Sequence, residues 1–155
     1  MWISSSLSDL FHKRFLTYFT MAYKIIDIQG IGPAYAEKLS AAGITTVDQL
    51  LEMGKTAKAR KSLEETTGIN GSLILTWVNH ADLFRVKGIG PQFAELLEAA
   101  GVDTVKELGH RVAANLVAKM TEVNEEKHLT KVVPTVDQVQ KMIDLAKELP
   151  AVVTY

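Results

Sequence analysis

The sequence predicts an all-α fold, a single compact domain built from two tandem helical units that are related by a pseudo-two-fold axis. Two observations predict it. The tetrapeptide Gly-Ile-Gly-Pro occurs at 30–33 and again at 88–91, and the segments around it, 28–50 and 86–108, are identical at thirteen of twenty-three positions. Apolar residues also recur at helical spacing through both copies. The chain is therefore expected to repeat one structural unit.

Each copy opens with a glycine hairpin, defined here as Gly30–Pro33 (first hairpin) and Gly88–Pro91 (second hairpin). Gly30 can adopt a positive φ, and Gly32 leaves the backbone bare for the approach of another group. Pro33 suits the first position of a helix, where a missing amide costs nothing. Apolar residues at helical spacing then predict one short helix per copy.

Similar signals predict the later helices. Gly43 and Gly101 end the first helix of each copy, and Thr46 and Thr104 begin the next with a capping box. Further helices are predicted over Thr56–Thr67, from Asn70 or Ser72 to Leu83, around Val112–Val123, and from Pro134-Thr135 to Pro150. If Trp77 corresponds to Met142, the second unit carries about seven inserted residues, which we place between Lys127 and Pro134. The tail Ala151–Tyr155 is β-prone but too short to be assigned a secondary structure.

The first twenty residues are aromatic-rich and lie outside the repeat. Lys13 and Arg14 lie in the middle of this stretch and no small-residue cleavage site follows, so it does not resemble a signal peptide. Two interpretations stay open: an additional helix packed on the bundle, or an extension upstream of Met21. We favour the extension. The predicted division of the chain is an N-terminal extension over 1–21, unit 1 over 22–84 and unit 2 over 85–155.

Composition agrees with one globular domain. The chain has 155 residues, no cysteine and a net charge of −1. Without cysteine there is neither a disulfide nor a thiolate metal site, which favours a cytoplasmic protein. No apolar run reaches the roughly 18 residues of a membrane helix, so a membrane partner is not expected. The even charge balance argues against bulk electrostatic capture of nucleic acid.

Two stretches carry a resemblance to a known family. The pattern apolar-x-Gly-Ile-Gly-Pro-x-x-Ala-x-x-Leu resembles the helix-hairpin-helix motif of DNA repair, recombination and polymerase accessory domains. The run 77–83, together with 88–90 and 96–105, resembles a bacterial helix-hairpin-helix family known only as a domain of unknown function, the 4332 family. The resemblance covers about 23–155. It implies two helix-hairpin-helix units and a nucleic-acid partner, and the family name carries no activity.

The residues give no support for catalysis. The four histidines, His12, His80, His110 and His128, are scattered, and no pair has metal-ligand spacing. Adjacent acidic pairs such as 64–65 and 125–126 diverge on a helix and are typical of a solvated face. We therefore expect a non-enzymatic protein with no cofactor and no metal, and we do not expect a small-molecule substrate.

The hairpins are the candidate site because a bare glycine at a helix N-terminus exposes backbone amides to an anion such as phosphate. The alternative is that each hairpin is only a tight turn, with Ile31 and Ile89 as core residues, and that nearby basic residues form solvated faces. The candidate nucleic-acid contacts are Gly30, Gly32, Gly88, Ile89, Gly90, Arg85, Lys87, Lys55, Lys58, Arg60 and Lys61.

The two hairpins differ in charge. Asp27 in the first copy corresponds to Arg85 in the second, and Gln29 corresponds to Lys87. We therefore expect any phosphate contact to centre on the second hairpin. Two functions stay open: a DNA- or RNA-binding module that does not read sequence, which we favour, and a protein-interaction or scaffold module that uses the repeat only as fold.

Overall fold

The computed structural model describes residues 23–155, and the predicted N-terminal extension over 1–21 lies outside this part. The described chain is all-helical and contains no strand. A short 3-10 turn, Ile25–Asp27, comes before the first hairpin. The α-helices are α1 (Pro33–Ala41), α2 (Val47–Gly54), α3 (Ala57–Thr67), α4 (Gly71–Leu83), α5 (Pro91–Ala99), α6 (Val105–Gly109), α7 (Ala113–Lys127) and α8 (Val136–Glu148).

The two hairpins have the same backbone. Gly30 and Gly88 take φ values of +92° and +99°, a region that side chains disfavour. Gly32 and Gly90 are extended N-cap residues, and each is followed by proline at the helix start. The amides of Ile31 and Ile89 donate to equivalent carbonyls three residues upstream, at 3.1 Å in both copies. The sequence repeat is therefore a repeat of local structure.

Caps fix the remaining helix ends. Thr46, Thr104 and Thr135 each accept a hydrogen bond from the amide three residues on, at α2, α6 and α8. Gly68 ends α3 in the left-handed conformation, and Asn70, rather than Ser72, caps α4. These positions are the starts and stops that the sequence predicts.

Helix pairing follows the same plan in both units. In unit 1, α4 packs on α2 and α3; in unit 2, α8 packs on α6 and α7. Gly30 lies beside the indole of Trp77, and Gly88 lies beside the side chain of Met142, which is the predicted correspondence. The connection 128–135 is five residues longer than the equivalent connection in unit 1, 68–70, and α7 is four residues longer than α3, so the insertion is shared between the connection and the helix before it. The pseudo-two-fold axis itself stays a prediction.

Helix α4 joins the two units. Its residues Ile74, Trp77, Val78 and Ala81 are almost fully buried, and the helix also packs against α5 of unit 2. At the same boundary the ring of Tyr23 lies 5.1 Å from that of Phe84, centroid to centroid. The buried apolar side chains of both units form one hydrophobic cluster, and their burial stabilises the packing of one unit on the other.

Residues Pro150–Tyr155, the strap, follow α8 without regular secondary structure and cross to unit 1. The Thr154 amide donates to the Lys55 carbonyl at 2.8 Å, and the Tyr155 hydroxyl lies 3.2 Å from the Asn79 side-chain oxygen. Val153 is buried between these contacts. The β-prone tail therefore forms no strand, and its hydrogen bonds are made to residues of unit 1.

Within 23–155, no helix combines the length and the apolar character that a bilayer crossing requires.

Candidate functional site

The second hairpin opens on a broad cleft of about 990 Å³ between the two units. One wall is the start of α5, from Gly90 to Phe93, and another is the connection 128–132, which contains the predicted insertion. Tyr23, Asp27 and Gln29 of unit 1 complete the lining. The wall formed by 128–132 has no counterpart in unit 1, because the equivalent connection there is shorter.

Gln92 and Phe93, in the first turn of α5, line this cleft. No side chain caps this helix, so the first-turn amides of Gln92 and Phe93 have no acceptor within the helix. Gly90 presents no side chain, and the nearest atom to the position of an added Cβ is the Tyr23 hydroxyl, at 3.3 Å. An anion in the cleft would meet free N–H groups and the positive end of the helix dipole.

Side chains around the cleft provide both charge and aromatic surface. Lys131 and His128 line it on the connection side, and Tyr23 and Phe93 place aromatic rings in its wall. Asp27 is the one acidic residue among those described that line it. Lys87 is exposed beside the second hairpin but does not line the cleft.

The first hairpin has a more acidic setting. Gln29 and Gly30 line a smaller cavity of about 350 Å³, and two of its other lining residues are Glu95 and Glu98 of α5. Lys127 is the only basic residue among the described residues that line it, apart from the buried ring of His80. An anion is disfavoured there because two carboxylates repel it. The predicted difference between the hairpins thus extends to their surroundings.

Arg85 requires a correction. The sequence places it among phosphate contacts, yet its exposed fraction is 6 %. One guanidinium nitrogen donates to the Asp82 carboxylate and another to the Pro150 carbonyl, both at 2.8 Å. The second Asp82 oxygen accepts the Val105 amide at 2.8 Å and so caps α6. Arg85 is a buried link between α4, α6 and the strap, so the structure removes it from the candidate interface.

Arg60 needs the same correction. It is 7 % exposed, although its neighbours Lys58 and Lys61 on α3 are exposed. Its guanidinium donates to the Gly54 carbonyl at 2.9 Å and the Thr154 carbonyl at 2.6 Å, and it lies over the Tyr155 ring. Burial lowers the pKa of Arg60 from its usual value. The basic run in the sequence is therefore not a single surface patch.

The remaining candidates fall into two groups. Ile31 and Ile89 are buried, as the turn-only interpretation expects of core residues. Lys55 forms a 2.9 Å ion pair with Glu52 on the adjacent turn, and neither it nor Lys58 nor Lys61 lines the cleft. Of the predicted contacts, Gly90 lines the cleft, whereas the basic residues of unit 1 do not.

No group of three or more histidine and acidic side chains in the described chain is placed to hold a metal ion. His80 is buried, and its Nε2 contacts Glu98 across the boundary between the units. Its Nδ1 is buried and finds no hydrogen-bond partner in residues 23–155.

Sequence reasoning missed four residues that shape the site and its surroundings: Tyr23, Asp82, Lys131 and Tyr155. One signal was available. Asp82 and Arg85 are three residues apart inside the apolar stretch from Ala81 to Val86, and charged residues in such a setting are usually paired and buried. Tyr23, Lys131 and Tyr155 meet their partners only through tertiary packing.

Comparison with known families found one match. The family model described as "Domain of unknown function (DUF4332)" matches residues 29–149, which include both hairpins and all eight helices. No curated protein and no solved structure matches the chain.

Proposed function

The chain belongs to the DUF4332 family of domains of unknown function, and from the geometry of its cleft we propose that it is a non-catalytic module that binds the phosphate backbone of DNA or RNA without reading sequence. The observation that carries the proposal is the uncapped start of α5 at Gly90, which lines the cleft of about 990 Å³. A cytoplasmic location and the helix-hairpin-helix assignment of both units belong to this proposal.

The cleft offers three kinds of contact for a nucleic acid. The amides of Gln92 and Phe93 donate to a phosphate oxygen, and Lys131 adds a positive charge on the opposite wall. The rings of Tyr23 and Phe93 provide surfaces on which unpaired bases stack. Because none of these contacts reads a base edge, binding is expected to be independent of sequence.

Among the described residues, Lys131 is the one lysine that lines the cleft. Arg60 and Arg85 are engaged inside the domain, and the net charge is −1. We therefore expect weak, salt-sensitive binding with few phosphate contacts, and a preference for single strands, whose bases can reach the two rings.

The test is a titration of fluorescent single- and double-stranded oligonucleotides at two salt concentrations. Gly90→Ala adds a methyl group at the second hairpin and should weaken binding about tenfold, the equivalent of one lost charge-assisted hydrogen bond. Gly32→Ala is the matched control, because a Cβ at Gly32 meets nothing within 4 Å and its φ is −89°. Equal affinity of the two variants would contradict docking at the second hairpin.

Charge reversal provides a second matched pair. Lys87→Glu should weaken binding and flatten its salt dependence, whereas Gln29→Glu, at the equivalent position of unit 1, should change little. Asp27→Ala should leave binding unchanged or improve it. If the wild-type protein binds no oligonucleotide at low salt, the proposal is wrong.

A protein-interaction module is the second candidate function. The observation that favours it is the strap, a peptide segment that the domain already holds through carbonyl and amide hydrogen bonds. Backbone recognition of this kind is one of the recurring ways in which domains bind peptides.

A further inference from the structure

The strap lies in a groove whose two buried arginine side chains bind its main chain. Arg85 donates to the Pro150 carbonyl, and Arg60 donates to the Thr154 carbonyl four residues later. Both guanidinium groups are buried. Since a buried cation that loses a hydrogen-bond acceptor is costly, the groove requires main-chain carbonyls at these two places.

Recognition along the groove depends little on the side chains of its occupant. The Thr154 amide and carbonyl and the Pro150 carbonyl supply three of the hydrogen bonds. Side chains add four contacts: Val153 is buried, Val152 packs against the core, and the Thr154 hydroxyl donates to the Lys55 carbonyl at 3.5 Å. Tyr155 is 71 % exposed, but its hydroxyl donates to Asn79 and its ring lies under the Arg60 guanidinium. Another segment with an apolar residue at the place of Val153 and an aromatic residue at that of Tyr155 can make the same hydrogen bonds and side-chain contacts in this groove.

Ala151 is exposed, and the groove is open to solvent on either side of it. Two cavities, of about 290 Å³ and 230 Å³, both include Ala151 and Lys106 in their linings. Each is far larger than the space of one water molecule. The small side chain at 151 therefore leaves room that a larger one could occupy.

The space around Ala151 is basic on one side. Lys106 of α6, His110 just after it and Lys147 of α8 line the 230 Å³ cavity, whose lining contains no acidic side chain among the described residues. No ion pair among the residues described involves Lys106 or Lys147. Asp82 lines the neighbouring cavity, but its charge is matched by Arg85. An acidic side chain at position 151 would thus meet unpaired cations.

We propose that this groove is a peptide-binding site for a partner protein, and that its preferred ligand is a segment with an acidic residue at the place of Ala151, an apolar residue at that of Val153 and an aromatic residue at that of Tyr155. The strap occupies the site in cis and is displaced when the partner binds. This site is separate from the cleft at the second hairpin, so it does not depend on the nucleic-acid proposal.

The first test remains within the full chain. Ala151→Glu should raise the melting temperature by about 2 °C, because a new exposed ion pair with Lys106 or Lys147 is worth up to about 1 kcal/mol. Ala151→Lys is the matched control and should lower it. Equal melting temperatures for the two variants would overturn the acidic preference. Both substitutions are in the strap, so they leave the residues of the groove unchanged.

The second test measures binding in trans. In the double variant Val153→Ser with Tyr155→Ala the strap loses its side-chain anchors while every groove residue stays. A fluorescent Leu-Pro-Glu-Val-Val-Thr-Tyr peptide should bind this variant at least fivefold more tightly than the same peptide with Lys in place of Glu. Wild-type protein should bind the Glu peptide more weakly, because the tethered strap competes at a high effective concentration.

Two outcomes would overturn the proposal. One is a folded double variant, judged by its helical circular dichroism, that binds neither peptide. The other is a wild-type chain that dimerises in size-exclusion chromatography and becomes monomeric in the double variant, since the occupant would then be the strap of a second copy. If the double variant does not fold, the comparison of Ala151→Glu with Ala151→Lys decides the question.

Discussion

At the scale of single residues, two basic residues that are close in sequence differ in solvent exposure. Arg85 and Lys87 both flank the second hairpin, yet Arg85 is buried against Asp82 and Lys87 is exposed. The difference arises because Arg85 follows the last turn of α4 on its inner side, where Asp82 and the Pro150 carbonyl satisfy it. The residue type alone therefore does not identify a surface cation.

Arg85→Met should reduce the free energy of unfolding by about 3 kcal/mol, since it leaves the Asp82 carboxylate buried without its cation. Lys87→Met, on the exposed side, should change the free energy by less than about 0.5 kcal/mol. Urea denaturation followed by circular dichroism measures both. A small effect for Arg85→Met would mean that Asp82 is satisfied by the Val105 amide alone.

Asp48 predicts a pH dependence of stability. Burial raises the pKa of this carboxyl to about 6, and its Oδ1 has no hydrogen-bond partner in the described chain. The folded state therefore binds a proton more tightly than the unfolded state, so this residue lowers stability as pH rises from about 4 to about 6, and the loss persists above that.

Asp48→Asn should remove this contribution. We expect it to raise the free energy of unfolding at pH 8 by about 1 kcal/mol, less than the full shift implies because the half-buried carboxyl retains part of its solvation. At pH 4 the variant and the wild type should have nearly equal stability. Thermal melts at the two pH values check this, and an equal gain at both would rule out titration of Asp48 as the cause.

At the scale of elements, the hairpin works through two glycines with different roles. Gly30 takes a left-handed φ against the Trp77 indole, whereas Gly32 is extended with open space beside it. The first glycine makes the turn possible, and the second keeps the helix start accessible.

Gly30→Ala should cost about 1–2 kcal/mol, because a side chain at this φ is strained and its Cβ approaches Trp77. Gly32→Ala should stay within about 0.5 kcal/mol of the wild type. Denaturant unfolding of both variants provides the comparison. Comparable losses would indicate that Gly32 is also needed for the turn.

At the scale of the whole molecule, the strap and α4 join two similar units. The strap begins after α8 in unit 2 and reaches Lys55 and Asn79 in unit 1, while α4 packs on α5. Such contacts bring distant parts of the chain together, so the two units are expected to unfold in one transition.

A chain that begins at Met21 should keep its helical content and its melting temperature nearly unchanged, because the described units form a core of their own from Tyr23 onward. Circular dichroism of the shortened and full chains measures this. A large drop in melting temperature would show that the residues before Met21 contribute to the core.

The sequence by itself determined the elements. The Gly-Ile-Gly-Pro repeats, the Thr caps and the helical spacing of apolar residues are local signals, and the structure places a helix or a turn wherever they predict one. The site of the insertion was readable in part: comparison of the two copies indicates the connection after α7, but the structure also lengthens α7 itself.

Tertiary structure alone decided which charges are free and which surfaces are open. The partners of Arg60 and Arg85 are the carbonyls of Thr154 and Pro150, 94 and 65 residues away in sequence. The cleft likewise requires the connection 128–132 to lie opposite the second hairpin. No local pattern encodes such pairs, because burial of a charge depends on where distant backbone acceptors come to lie.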